Sequence, residues 1–284
     1  MSATVQLVKK ASGHVVPFSN EKLIASLMRT GASKQTAEQI VQEVEAKLYP
    51  GISTKKIYRI AFSLLKKLKQ PVAARYKLKQ AIMQLGPTGF PFELFISKLL
   101  QHQGYTVVTG SFVNGRCVTH EIDIIAENDQ KKCIIECKFH NRQGVICDVK
   151  IPLYVQSRFI DVKEKWLQQK SDKTANYEGW IITNTRFTTD AVKYAECSNL
   201  YLIGWDYPQQ HNLKLWIDKS GLYPVTCLTS LTIKEKQLLM DDKIILVNEL
   251  KKGVSLLVQN GISNNRLMAA LNEAEELSKP MLKH

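Results

Sequence analysis

No part of this chain is apolar for the roughly 18–20 residues a bilayer-crossing helix needs, which argues against a helical membrane protein. Its opening run, MSATVQLVKK, lacks the long apolar centre of a secretion signal, so a cytoplasmic protein is expected. Cysteine is sparse: the six residues form no CxxC pair. A zinc knuckle therefore lacks its usual spacing, and reduced, structural thiols are expected. No GxxxxGK[ST] run occurs, which removes the phosphate-cradling loop of Walker-type ATPases. There is no low-complexity segment and no long internal repeat. Acidic residues are scarce at the start: residues 1–88 hold 15 Lys+Arg against 4 Asp+Glu, a balance of +11. The remainder holds 24 against 22, or +2. Basic charge so placed suits a polyanionic partner, a solvated basic face being the alternative.

What is present is a chain of 284 residues, 44% hydrophobic, long enough for two or three domains. Residues 5–18 read as two short strands around a turn at Ala11-Ser12-Gly13, and Ser19 or Asn20 is placed to cap the helix that follows. Three further helices are predicted: residues 34–50, a run from near Thr54, and 71–86 with Pro71 in its first turn. The Gly/Pro-rich GPTGFP at 86–91 marks a boundary. Beyond it the periodicity predicts a helix from Phe92, strands over 105–112, 118–126 and 132–140, a helix at about 151–170, and then strand, helix and strand over 179–206. This is an α/β pattern around a mixed sheet. Residues 223–284 read as mostly helical, with a capping box at Thr232 and Glu235 ahead of the run to Gly253, and Ser263 as a second cap.

The chemistry concentrates in residues 118–140. Two β-rich runs flank the polar turn 127–131, a hairpin signal that sets Asp123 across from residue 135 or 136. Strand periodicity puts Glu136 and Lys138 on one face. Two carboxylates and an ammonium then converge inside strands that are otherwise apolar. Carboxylate oxygens are the ligands that Mg²⁺ or Mn²⁺ prefers, and a nearby lysine can orient a water or stabilise a charged phosphoryl transition state. A salt-bridged group facing solvent is the bland alternative. Glu121, two residues before Asp123, can replace or assist it. His120 points to the other face of a regular strand and reads as structural.

These residues resemble the PD-(D/E)XK superfamily, specifically its Mrr-like restriction endonucleases. The resemblance spans about residues 89–222: the helix FELFISKLLQHQGY, then EIDIIA, IIECKFH, and the strand-helix-strand run through GWIITNTRFTTDAVKYAECSNLYLIGWD. The spacing of Asp123, Glu136 and Lys138 is also similar to that of archaeal Holliday-junction resolvases. The resemblance implies a metal-dependent DNA endonuclease in which Asp123 and Glu136 hold the ion, Glu93 joins the metal shell, Lys138 positions the water and Gln156 aligns substrate. It also implies a dimer or tetramer, and a defence role against foreign DNA. A non-catalytic, nucleotide-sensing DNA binder and an RNA-directed nuclease are the rival readings.

Residues 5–86 resemble the ATP-cone, the regulatory domain of ribonucleotide reductases and of their repressor, through LVKKASGHVVPFSNEKL, GISTKKI and PVAARYKLKQAI. The resemblance implies a β-hairpin plus four helices that bind ATP or dATP as an effector, with Lys10, Lys22, Thr54 and Arg75 at matching positions. The family's Lys-Arg-Asp-Gly turn is here Lys10-Ala11-Ser12-Gly13. The C-terminal helices, with turns at Asp242-Lys243-Ile244 and Gly261-Ile262, have the look of weak helix-hairpin-helix units or of a packing element. Three parts are therefore expected: an ATP-cone over 1–88, an α/β nuclease over 89–222 and a small helical domain over 223–284.

Overall fold

The computed structural model describes residues 6–10, 13–68, 70–142, 144–168 and 176–279. Residues 11 and 12 of the first predicted turn, and the last two of the helix predicted to reach 170, lie outside them. The hairpin strands β1 (Leu7–Lys9) and β2 (Val15–Pro17) pair antiparallel. Ser19 caps α1 (Asn20–Met28), its Oγ accepting from the Lys22 amide at 3.2 Å, and Ser33 caps α2 (Lys34–Glu45) in the same way. A two-residue strand, β3 (Ile52–Ser53), pairs parallel with β1 and runs straight into α3 (Thr54–Leu68). The single helix expected over 71–86 is instead two, α4 (Gln70–Tyr76) and α5 (Leu78–Ile82), divided at Lys77. Apolar stripes from α1, α2 and α3 close over β1 and β3 into a core from Val8 to Ala73.

Helix α6 (Phe90–His102) starts behind Gly89 with Pro91 in its first turn, where a missing amide hydrogen costs nothing. The central sheet has the order β10 (Leu200–Ile203), β8 (Tyr177–Thr183), β6 (Lys132–Lys138), β5 (Thr119–Glu127), β4 (Thr106–Asn114). β4 (Thr106–Asn114), β5 (Thr119–Glu127) and β6 (Lys132–Lys138) form an antiparallel meander. After the two-residue β7 (Ile146–Cys147), α7 (Lys150–Gln168) crosses over to β8 (Tyr177–Thr183), parallel to β6. β9 (Arg186–Phe187) pairs with β7, and α8 (Thr189–Cys197) leads to β10 (Leu200–Ile203), parallel to β8. β8 lies between two neighbours and is buried along its whole length, as a central parallel strand must be.

One face of the sheet packs on α6 and the other on the Val155, Phe159, Val162 and Trp166 stripe of α7. A further helix, α9 (Leu213–Ser220), was not anticipated; it is capped by Asn212, whose Oδ1 accepts from the Leu215 amide at 3.0 Å.

In the C-terminal region both capping-box bonds form at the start of α10 (Ile233–Asp241): the Glu235 amide donates to Thr232 Oγ1 and the Thr232 amide to Glu235 Oε2. The long helix expected to continue to Gly253 stops here. Lys243 takes φ +60°, and the chain resumes as a 3-10 turn over 247–253. α11 (Val254–Gln259) and α12 (Asn264–Ser278) follow, separated by Gly261 at φ +83°. No helix of the described residues is long and apolar enough to cross a membrane. All six cysteines are free.

Candidate active site

The turn 128–131 sets the register between β5 and β6. Asn128 Oδ1 accepts from the Gln130 and Lys131 amides, both at 3.0 Å, and the ladder runs from Glu127–Lys132 to Ile124–Ile135. One step further along the same register, Asp123 stands opposite Glu136. There the ladder gives way to a side-chain bond: the Cys137 amide donates to Asp123 Oδ2 at 2.7 Å. Glu136 and Lys138 follow Ile134 on the α7 face of β6.

β5 is not regular at this point. Ile122 packs on the α7 side, whereas Ile124 and Ala126 pack on the α6 side. The alternation therefore slips at Asp123, so sequence parity alone does not place Glu121 on its face. Across the ladder from Asp123 lies Gly110 of β4, with φ +60°. His120 turns to α7, where its Nε2 lies 2.7 Å from Asp161 Oδ2. That carboxylate also accepts from the Cys117 and Val118 amides and is held well below the usual carboxylate range, first by the His120 bond.

Glu136 is buried and bonded on both sides: Lys138 Nζ donates to its Oε1, and Arg158 of α7 donates to its Oε2. Arg158 also donates to the Tyr154 hydroxyl and lies over that ring, 4.5 Å from its centroid. Glu93 stands in the first turn of α6, close against Gly89, where the helix N-terminus favours an anion. Its pKa is pushed up to about 7, first by burial and then by the charges of Asp123 and Glu136. Burial, then Glu136, pushes Asp123 up to about 6. Burial alone would lower the Lys138 pKa, but its bond to Glu136 and the carboxylate charges hold it above the ordinary value. Lys138 is thus an ammonium at neutral pH and a donor, not a base. Gln156 lies on α7 with its Oε1 buried and unbonded; no bond joins it to the carboxylates among the described residues.

The donor set suits a hard divalent cation. Asp123 and Glu136 bring carboxylate oxygens to one strand end, and the raised pKa values of Asp123 and Glu93 reflect burial first and then the repulsion between neighbouring carboxylates. No three of His, Cys, Asp and Glu form a ready-made cage among the described residues. Mg²⁺ does not require one, since it commonly takes one or two carboxylates and fills its other positions with water and phosphate oxygens. Glu93 acts on the pair through charge. Arg158 is the site residue that sequence reading missed.

In the cone, parallel pairing of Val8 with Ile52 and Lys9 with Ser53 leaves Lys10 and Thr54 each one residue past the same end of the β1–β3 pair. Lys22 occupies the first turn of α1. Arg75 lies apart from these: its Nη2 reaches the Glu276 and Lys279 carbonyls at 3.5 and 3.4 Å, and its guanidinium lies 5.8 Å from the Tyr223 ring centroid.

Comparison with known proteins bears on all three parts. Residues 6–81 match the ATP cone domain, 87–207 the restriction endonuclease family and 223–278 the AF1548-like C-terminal domain. An uncharacterized protein of Archaeoglobus fulgidus is 38% identical over 133 residues, which cover 47% of this chain and 71% of that one. A solved structure described as a protein of unknown function, AF1548, is similar with a TM-score of 0.54 and 29% identity, over 67% of this chain and 98% of that chain. The chain therefore belongs to the restriction-endonuclease-like family that carries the AF1548-like C-terminal domain, with an ATP cone joined ahead of the nuclease fold.

Proposed function

We propose that this protein is a metal-dependent DNA endonuclease whose activity responds to an adenine nucleotide bound by its cone. The observation that carries the reading is the meeting of Asp123, Glu136 and Lys138 at the end of β6, with Glu93 coupled to them by charge. Asp123 and Glu136 would hold Mg²⁺ or Mn²⁺. The ion supplies Lewis acidity at the phosphate and lowers the pKa of an attacking water. Lys138, kept protonated, donates toward the water or toward the non-bridging phosphate oxygens as negative charge builds on them. Arg158 fixes the Glu136 carboxylate from the opposite side. Gln156 of α7 would help align substrate. A cut through both strands of a duplex needs two such sites, so a dimer or tetramer is expected, and defence against foreign DNA is the role this chemistry fits. In the cone, Lys10 and Thr54, which follow the paired ends of β1 and β3, together with Lys22, would bind ATP or dATP phosphates.

The test is plasmid cleavage with Mg²⁺ or Mn²⁺, comparing the natural chain with Glu136→Ala, each with and without ATP and dATP. Cleavage that disappears in Glu136→Ala and changes with nucleotide is the expected result. An inert natural chain on supercoiled, linear and single-stranded DNA would replace this reading with a non-catalytic binder.

A further inference from the structure

Between the cone and the nuclease domain lies a cleft of about 550 Å³. One wall comes from α1, α3, α4 and α5; the other comes from β9, the 205–209 loop and α9. Five cations line it, Arg29, Arg75, Lys79, Arg186 and Lys214, against one carboxylate, Asp206. Two of the five are answered locally: Arg186 pairs with Asp206 at 2.7 Å and Lys214 pairs with Asp218. Arg29 and Lys79 form no ion pair among the described residues. Lys79 Nζ lies over the Trp205 ring, 5.7 Å from its centroid. Arg75 forms no ion pair among the described residues; its Nη2 reaches two backbone carbonyls, and its Nε is buried without a hydrogen-bond partner.

Like charges gathered in a recess repel one another, and low-dielectric walls focus their field. Burial, and then the neighbouring Arg186, push the Lys79 pKa down. Entry of an anion offsets both effects. Guanidinium groups prefer phosphate, which they bind through paired N–H donors. The volume lies within the roughly 300–1,000 Å³ of small-molecule sites. A recess of this kind suits a compact anion better than the flat flank of a duplex.

We propose that this cleft binds a small molecule carrying two or more phosphate groups, at a site separate from Lys10, Lys22 and Thr54. α1 and α3 belong to the cone's core, and the facing wall to the nuclease body, so an occupant would hold the cone against the nuclease fold. Arg186 follows β8 closely, and the end of that strand, Thr183, pairs with Lys138. Occupancy would therefore be felt at the catalytic edge of the sheet. The site does not depend on the chain cutting DNA.

Inorganic tripolyphosphate is the probe, measured by titration calorimetry on the full chain in EDTA, which keeps divalent metal off the carboxylates. The measurements are made in a Lys22→Ala background, which removes a phosphate contact of the cone's own proposed site. The expected result is that this background still binds the probe. Adding Arg29→Ala and Lys79→Ala should weaken binding by at least about tenfold, whereas the charge-keeping pair Arg29→Lys and Lys79→Arg should retain it. Both side chains line the cleft yet keep access to solvent, and an unchanged melting temperature shows that the fold is intact. The proposal is overturned if the background binds no probe at millimolar concentration, or if the double alanine variant binds as the background does. It is overturned equally if only a short DNA duplex, and not tripolyphosphate, depends on Arg29 and Lys79, since the cleft is then part of a nucleic-acid surface. A failed plasmid assay leaves each of these binding outcomes readable.

Discussion

Glu136 carries two cations at once, Lys138 on its own strand and Arg158 on the facing helix. In the proposed reaction Lys138 reaches substrate, whereas Arg158, tied to Tyr154, would act through Glu136. Arg158→Met removes the second contact and leaves a buried carboxylate held on one side only. Supporting groups around metal ligands are typically worth about 10- to 100-fold in metal affinity or activity. The expected outcome is a loss of that size in Mn²⁺ affinity by calorimetry, largely restored in Arg158→Lys. Unchanged affinity in Arg158→Met would remove the positioning role. Lys236 carries a different kind of charge, far from the chemistry. It is buried, donates to the Thr226 carbonyl at 3.1 Å, and burial, followed by Lys77, lowers its pKa to about 8. In the unfolded chain a lysine titrates near 10.4. Between about pH 8 and pH 10.4 the unfolded chain therefore binds more protons, and stability contributed by this group rises with pH; below pH 8 its penalty is fully present. Lys236→Met should stabilise the protein at pH 7 by about 1–2 kcal/mol, the freed charge penalty outweighing the lost hydrogen bond. That gain should shrink as the pH approaches 10, which melting curves of the two proteins across pH would show. A gain independent of pH would assign the effect to packing alone.

At the scale of elements, the slip in β5 decides where Asp123 points. Gly110, across the ladder, holds φ +60°, and no atom lies within 4 Å of where a Cβ would stand, so backbone conformation, not space, restricts this position. Gly110→Ala should cost about 1–2 kcal/mol from the left-handed backbone alone. If the slip depends on Gly110, cleavage should fall by more than the loss of folded protein explains. A melting curve and a cleavage assay on the same sample separate the two effects, and a fall in stability with unchanged specific activity would show that the slip is set elsewhere. This irregularity was not legible in the sequence, because alternation in VTHEIDIIA reads as one continuous strand. The hairpin itself was legible: the polar turn, the flanking β-rich runs and the D…ExK spacing converge on one register, and Asn128 enforces it. The strands β3, β7 and β9 are two residues long, too short to carry a period, and form only because distant segments arrive beside them. The helix expected to reach Gly253 failed for a related reason. Its apolar residues suit a helix, yet Ile244, Ile245, Leu246 and Val247 are all buried in one core, which the break at Lys243 permits. Arg158 left no sequence signal, since it flanks the Val155–Phe159–Val162 stripe like any surface arginine, and only the crossover of α7 sets it over Glu136.

Among the described residues, two of the three packed clusters do not follow the three expected parts, the third being the α7 face of the sheet. One is the cone, from Val8 to Ala73. The other begins with Ala74, Leu78 and Ile82 of the cone's last helices, continues through α6 and its face of the sheet, and ends with Leu277 of α12. The C-terminal helices are thus part of the nuclease core, and α4–α5 is the joint between cone and nuclease. Polar bonds seal the same seam: Thr226 Oγ1 donates to the Ala81 carbonyl at 2.7 Å, and Lys98 pairs with Glu249 at 2.7 Å. Glu273 of α12, 3% exposed, accepts from the Thr229 and Ser230 amides and from the Ser230 hydroxyl. Glu273→Ala removes the acceptor these part-buried donors share and should cost about 2 kcal/mol. A shared core makes the location of the loss specific. Hydrogen exchange should show lowered protection in α12, β6 and β8 together, while α2 and α3, buried in the other core, keep theirs. Loss confined to α12 and its contacts would mean that the C-terminal helices open on their own, and that the nuclease sheet stands without them. If protection falls in the sheet as well, a change more than a hundred residues from Glu136 in sequence reaches the strands that carry the proposed metal-binding carboxylates, and the cone meets those strands through the same packed body.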